Sequence, residues 1–378
     1  MNISAFDRCA DCGACYNICP TGAISVSENG LFYTPMVDAE KCIDCSACAS
    51  VCPVNNDIDG NGPIRACAGW NKDASVVLKS SSGGVFYGLA EKVIAEGGAA
   101  FGAAFSQDYK SVRLCSTDEV PFEKLLKSKY VESMPQYSFT EVKAELEKGR
   151  KVLFCAAPCQ CAGLSAFLGK DYDNLIICDF ACGGVPSHKI FQDYLSELER
   201  RYKSTVKSVD FRPKTHGWKR YAVRTEFYNG REHLRLGSED PYLKCFLRGK
   251  LSVRDYCHEC KFPECHISDL TIADFWLNEK LSSLRSEDGI SLVLCNTEKG
   301  KKALDEIARD YIFEELDLDA AGYNNRIRIS ERNIIRHEEF MKRYAEEGLE
   351  ASCRAMLPSS VAEKLKNRIV RLMVRKRR

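Results

Sequence analysis

The sequence lacks an excess of charge of either sign: 54 Lys and Arg against 53 Asp and Glu leave its 378 residues with a net +1. So balanced a total says nothing about partners, and without a basic stripe along the body of the chain nucleic-acid binding is not expected. Long apolar runs are missing too, none approaching the roughly 18–20 residues of a membrane-spanning helix. The first 30 residues pass Asp7, Arg8 and Cys9 without a charged segment followed by an apolar one. No secretory signal is read there, and a cytoplasmic setting is expected. Histidine is sparse and scattered, six in all, so structural roles are expected for each and no general acid or base is assigned. The remainder, 45% hydrophobic and 28% charged, is ordinary for a folded chain, and the length suits two or three domains of roughly 100–200 residues each.

What the sequence has in abundance is cysteine. Its 21 cysteines are an odd number gathered in clusters, unlike the short, even framework of a secreted disulfide protein. Cys9, Cys12, Cys15 and Cys19-Pro20 give C-x2-C-x2-C-x3-C-P, and Cys42, Cys45, Cys48 and Cys52-Pro53 repeat it 33 residues later. Three close thiolates can wrap three irons of a cube, while the fourth, leaving on the proline turn, reaches the other cube. The spacing therefore assigns Cys9, Cys12, Cys15 and Cys52 to one 4Fe-4S cluster, and Cys42, Cys45, Cys48 and Cys19 to a second. Zinc needs only four ligands and usually shows paired C-x2-C knuckles, so two complete runs argue against it. Between them, Ala23–Val26 and Leu31–Tyr33 flank Glu28-Asn29-Gly30, the pattern of a hairpin. A Gly/Asn/Asp-rich linker follows over 55–63.

Beyond Pro63 apolar strands alternate with amphipathic helices, the texture of an α/β or α+β domain with a mixed sheet. Ser81, Ser82, Gly83 and Gly84 precede apolar positions at helical spacing. Such a loop is either a plain helix cap or a cradle of free amides for a phosphate. Further on, Lys127, Lys129 and Tyr130 offer cations and a ring suited to a nucleotide cofactor, or else a solvated charged face. A helix with a capping box is expected from Ser138, with Glu141 three residues on. Strands at Val152–Cys155 and Leu175–Cys178 each run into a turn carrying a cysteine, Cys159 and Cys182, at the strand ends where open sheets bind ligands. Cys155 and Cys178 themselves read as packing residues. Cys257 and Cys260 form a further C-x2-C, which with Cys159 and Cys182 suits a third 4Fe-4S cluster. Cys161 and Cys265 are alternative ligands, and a zinc knuckle closed by Cys265 and His266 is the local alternative.

Taken together, these blocks resemble the beta subunit family of coenzyme F420 hydrogenases and dehydrogenases. The resemblance runs from about Ala66 to Trp276. It rests on Ser81 to Phe86, Ser128 to Val131, Ala157-Pro158-Cys159-Gln160, Cys182 to Ser187, Phe211-Arg212 with Gly217-Trp218, and Tyr256 to Cys260 leading to Asp269 through Trp276. It implies an FAD-binding enzyme with its own iron-sulfur cluster, in which Ser81, Ser82, Gly83, Gly84, Ser128, Lys129 and Tyr130 contact FAD. Phe211-Arg212 and Gly217-Trp218 would lie near the site of a hydride carrier. The chain departs from the family at Ala157, Ala273 and His266, which bears on the identity of that carrier.

The expected fold class is thus α+β: a small two-cluster ferredoxin-like domain over 1–60, then a larger α/β flavin-binding domain with a mixed sheet over 64–340. A basic helical tail is expected over 341–378. Leu365, Ile369, Leu372 and Met373 share one face of that tail, which suits an anionic membrane surface, an acidic partner or packing on its own domain. The leading reading is an oxidoreductase passing electrons between a hydride-carrying small molecule, coenzyme F420 or similar, and a redox partner protein, a ferredoxin or a reductase or hydrogenase subunit. A ferredoxin-fed flavin reductase of an organic substrate and a non-catalytic electron-transfer subunit are the competing readings.

Overall fold

The computed structural model describes residues 8–58, 60, 62–265, 267–276, 286–318, 331–360, 365 and 367. Expectations for His266 and for most of the tail beyond 360 lie outside these residues.

The cysteine repeat folds as a backbone repeat. Short helices Ala14–Ile18 and Ala47–Ser50 follow equivalent left-handed residues, Asp11 and Asp44 at φ 51°, then Gly13 at 88° and Ser46 at 60°. Between the helices, β1 (Ile24–Ser27) pairs antiparallel with β2 (Thr34–Val37), from Ile24 opposite Val37 to Ser27 opposite Thr34. The hairpin exists, but its second strand begins one residue after the apolar run Leu31–Tyr33 expected to form it. Those residues serve another purpose. The Leu31 carbonyl accepts from Ser187 Oγ, and the Tyr33 ring stacks on His188 with centroids 3.9 Å apart, so the run docks the repeat on the rest of the protein.

The larger part is built on a nine-stranded mixed sheet. Its strands are β3 (Arg65–Asn71), β4 (Ala99–Phe105), β5 (Val112–Ser116), β6 (Ser133–Met134), β7 (Val152–Cys155), β8 (Leu175–Phe180), β12 (Leu270–Asp274), β13 (Ser291–Cys295) and β14 (Tyr311–Leu316). They lie in the order β14-β3-β13-β12-β8-β7-β4-β5-β6. The central four, β12, β8, β7 and β4, are parallel, with antiparallel neighbours on both sides. Their near-continuous apolar sequences suit strands covered on both faces. Val152, Phe154, Leu175 and Ile177 point to one face, against Phe139 and Leu164 of the helices Ser138–Glu147 and Pro158–Leu168. The alternate residues Leu153 and Ile176 point to the other, against Val85, Leu89 and Val93 of the helix Val85–Ala95. Each such side chain contributes roughly 1.5–3 kcal/mol on burial. The helix at Ser138 is present, but Tyr137 is its N-cap and Ser138 Oγ has no partner, so the capping box is absent. The preceding turn bonds Glu141 N to the Tyr137 carbonyl instead.

A second layer packs beside this sheet. Strands β9 (Val206–Asp210), β10 (Ala222–Phe227) and β11 (Glu232–Leu236) form an antiparallel sheet. It buries Phe191, Tyr194 and Leu195 of the helix His188–Tyr202 together with Phe340 and Cys353 of the helix Glu331–Met356, which is broken by a kink at Gly348 (φ 77°). The boundary expected at residue 341 falls inside that last helix, whose apolar face belongs to this core. Of the tail beyond it, Leu365 is 59% exposed, while Asn367 bonds Ser238 Oγ at 3.1 Å. No helix among the described residues is long and apolar enough to cross a membrane.

Candidate metal centres and cofactor site

Every cysteine is a free thiol, and twelve of them fall into three neighbourhoods. In the first, Cys9, Cys12 and Cys15 each lie within electrostatic reach of Cys52 from the second repeat. Burial pushes the Cys9 thiol up to about 11, and it drives Cys12 and Cys15 upward as well. In the second, Cys19 from the first repeat joins Cys42, Cys45 and Cys48 around a concavity floored by Ile24 and Val37. The fourth cysteine of each repeat therefore lies with the other repeat's trio. Burial acts to raise the Cys19 thiol, but bonds from Thr21 and the amides of Ala23 and Ile24 outweigh it and bring the group below its ordinary value. Amides already point at sulfur: Asp11 N donates to Cys9 Sγ at 3.2 Å and Ala23 N to Cys19 Sγ at 3.3 Å. Such bonds stabilise sulfur that carries negative charge.

The third neighbourhood belongs to the larger part. Cys159, at the start of the helix after β7, feels the charges of Cys260, Cys182 and Cys257, and also that of Cys12. Val185 N donates to Cys257 Sγ at 3.3 Å. Cys161 is buried and turned to the sheet, its Sγ on the carbonyls of Ala156 and Cys178 at 3.6 and 3.8 Å. Cys265 lies near Cys260 and bonds the Lys261 carbonyl at 3.3 Å. Among the described residues no three His, Cys, Asp or Glu side chains converge on one ion-sized point. The four-thiol sets, with amides on their sulfurs and left-handed turns between ligands, fit the donor set of a cubane cluster.

The first and third sets are in contact. Helix Pro158–Leu168 packs on helix Ala14–Ile18, and Cys159 Sγ lies 3.8 Å from the Ala10 carbonyl. A Cβ added at Gly163 would stand 2.9 Å from the Cys12 carbonyl and 3.2 Å from its Sγ, so glycine is what admits the ligand loop against the helix. Beside this contact lies a buried network that sequence reasoning missed. Glu132 bonds Arg254 Nη2 through Oε1, and through Oε2 it holds His188 Nδ1 at 2.8 Å and Tyr33 N at 3.1 Å. The available signal was the demand that buried charges be paired, but nothing local in Glu132 or Arg254 announces that they are buried.

The residues expected to contact FAD gather at the carboxyl edge of the parallel strands. Ser81 Oγ accepts from Ser128 N at 2.8 Å and lies 2.9 Å from Ser128 Oγ. Tyr130 Oη accepts from Arg212 Nη1 at 3.2 Å, and Arg212 pairs with Asp274 at 2.8 Å. Asp274 also accepts from Trp218 Nε1 at 3.2 Å, and Trp218 stacks on Trp276 with centroids 4.6 Å apart. The Tyr130 ring lies 5.5 Å from both Phe211 and Phe246, so it presents its hydroxyl rather than a free face. Ser82 Oγ is spent on the Ile290 carbonyl at 2.6 Å and Gly83 N on Ser291 Oγ at 2.9 Å. A Cβ at Gly83 would meet the Gly69 carbonyl at 2.2 Å; this glycine answers to strand packing. The first amides of the helix Val85–Ala95 have no side-chain cap. Three cations border the edge. Burial pushes Lys129 down to about 7, burial and the neighbouring Arg212 push Lys214 down to about 8, and Lys127 pairs with Asp210 at 2.6 Å. Cationic groups that lack full solvation suit an anionic ligand.

Comparison with known proteins places both parts. Residues 8–56 match the 4Fe-4S dicluster domain, and residues 149–320 match the C terminus of the coenzyme F420 hydrogenase/dehydrogenase beta subunit. No curated protein matches the chain. A solved structure of the F420-reducing NiFe hydrogenase complex from Methanosarcina barkeri, derivatised with xenon, superposes with a TM-score of 0.49. The two share 16% identity over 77% of this chain and 95% of that one. The chain thus joins a 4Fe-4S dicluster domain at its N-terminal end to a region, residues 149–320, that matches the C terminus of the coenzyme F420 hydrogenase/dehydrogenase beta subunit, the make-up of an iron-sulfur electron-transfer protein.

Proposed function

We propose that the chain is an iron-sulfur flavoprotein oxidoreductase moving electrons between a hydride carrier, coenzyme F420 or a similar molecule, and ferredoxin-type clusters through FAD. The observation that carries this reading is the sequence of sites: a cationic, hydroxyl-lined edge, then the set Cys159, Cys182, Cys257 and Cys260, then the first repeat's set in contact with it, then the more exposed second set. A flavin supplies the conversion of a two-electron hydride into single electrons, which the cubes accept one at a time. The protein's own residues supply the rest. Ser81, Ser128 and Tyr130 offer hydroxyls, Lys129 and Lys214 offer poorly solvated cations, and the Arg212–Asp274 pair fixes Trp218. In this reading Cys9, Cys12, Cys15 and Cys52 hold one cluster, Cys19, Cys42, Cys45 and Cys48 the second, and the larger part's four thiols the third. A redox partner protein exchanges electrons at the second.

The test is anaerobic purification with iron, sulfide and flavin quantified, followed by bleaching with reduced deazaflavin, NADH, NADPH and reduced ferredoxin in turn. The reading expects stoichiometric FAD and bleaching by reduced deazaflavin. Protein free of flavin and indifferent to every hydride donor would leave an electron-transfer subunit only.

A further inference from the structure

Arg254 is a buried cation set between two thiol sets. Its Nη2 donates to the Tyr33 carbonyl at 2.6 Å and to Glu132, its Nη1 to the Cys9 carbonyl at 3.3 Å, and its guanidinium lies 5.1 Å over the Phe32 ring. Every one of these partners except Glu132 belongs to the cysteine repeat. Its own backbone belongs to the larger part, three residues before Cys257, with its amide on the Val185 carbonyl at 2.9 Å. The guanidinium thus stands on the loop that carries Cys9, while the Arg254 carbonyl accepts from Cys257 N at 2.9 Å at the turn into the larger part's set. Glu132 sits behind the guanidinium, held by His188 and Tyr33 N. None of the Arg254 contacts above is with a cysteine of the second set.

Reduction adds one negative charge to a cluster, and a fixed cation in a poorly solvated site stabilises that charge far better than one in water. We propose that Arg254, backed by Glu132, is a positioning residue: it ties the cysteine repeat to the larger part and raises the reduction potentials of the two inner clusters together, leaving the outer cluster untouched. This inference rests on the cluster assignment proposed above. It goes further in naming one side chain that matches two potentials across the contact between the parts.

The second set provides a control within the same molecule. In an anaerobic redox titration followed by electron paramagnetic resonance, Arg254→Gln lowers the inner midpoints by the equivalent of at least a tenfold change in the reduced-to-oxidised ratio, about 59 mV for one electron. The outer midpoint stays where it was. Arg254→Lys retains most of the effect of the charge, and Glu132→Gln moves the inner midpoints upward. Should Arg254→Gln fail to fold, the opposite displacement in Glu132→Gln carries the test. Inner midpoints that ignore both changes, or three midpoints that move together, overturn the inference while leaving the clusters in place. Wild-type protein without clusters overturns the functional reading, and this inference with it.

Discussion

The two halves of the cysteine repeat share a motif and a backbone but live in different surroundings. Asp11 and Asp44 adopt the same left-handed φ of 51°, and both trios open onto a short helix. Yet Cys12 is buried against Gly163 and Cys159, whereas Cys45 is exposed and has 63%-exposed Ile43 and 56%-exposed Met36 nearby in sequence. Local sequence fixes how thiols are presented; tertiary contact decides how much charge each site tolerates, because burial penalises the thiolate and Arg254 repays part of it on one side only. Two cubes written by one motif can therefore differ in potential.

The largest effect expected from breaking this asymmetry is at the ligands. Cys12→Ser removes the inner cluster of the repeat and the contact with the larger part's set, so electrons entering at the larger part no longer reach the outer cluster in stopped-flow reduction. Cys45→Ser removes the outer cluster while the inner ones still reduce. Next comes the docking run: Tyr33→Ala deletes a fully buried ring stacked on His188 and costs about 3–5 kcal/mol in denaturant unfolding. Truncating exposed Met36 leaves the midpoint unchanged. Gly163→Val drives a side chain into the Cys12 backbone and costs about 1–3 kcal/mol, with slowed reduction of the repeat's clusters as its second readout. Buried Asp179 offers a pH contrast with exposed Asp38. Burial pushes the Asp179 carboxyl up from 3.8 to about 7. The folded state therefore keeps a proton that the unfolded chain releases, and stability falls as pH rises from about 4 to 7. Asp179→Asn removes this slope, worth on the order of 1–2 kcal/mol between pH 5 and 7. At Asp38, which Lys41 holds below its ordinary value, substitution by Asn leaves the pH dependence over the same range unchanged.

Much of this arrangement is legible in sequence where a signal is local and periodic. The strand Val152–Cys155 stands where its apolar run places it, and the apolar run Leu175–Cys178 opens the strand Leu175–Phe180. Errors arise where a long-range contact competes with local pattern. Leu31–Tyr33 has strand-like alternation but is drawn into the contact with Ser187 and His188, which pushes pairing on to Thr34–Val37. Gly83 looks like a phosphate-loop glycine, yet the Gly69 carbonyl across the sheet is what requires it. Glu132 and Arg254 lie 122 residues apart, so no window of sequence joins them. The grouping of the cysteines is legible because the spacing within each run is local; their electrostatic environment is not, because the rest of the fold creates it.

The most direct test of the central claim, that three thiol sets each hold a cubane cluster, is the Mössbauer spectrum of anaerobic protein loaded with isotopically enriched iron. The account predicts a spectrum made up wholly of 4Fe-4S signals, with the larger part's cluster persisting when all eight cysteines of the repeat are replaced by serine. Loss of every iron signal in that variant, or zinc in place of iron at Cys257 and Cys260, would contradict it.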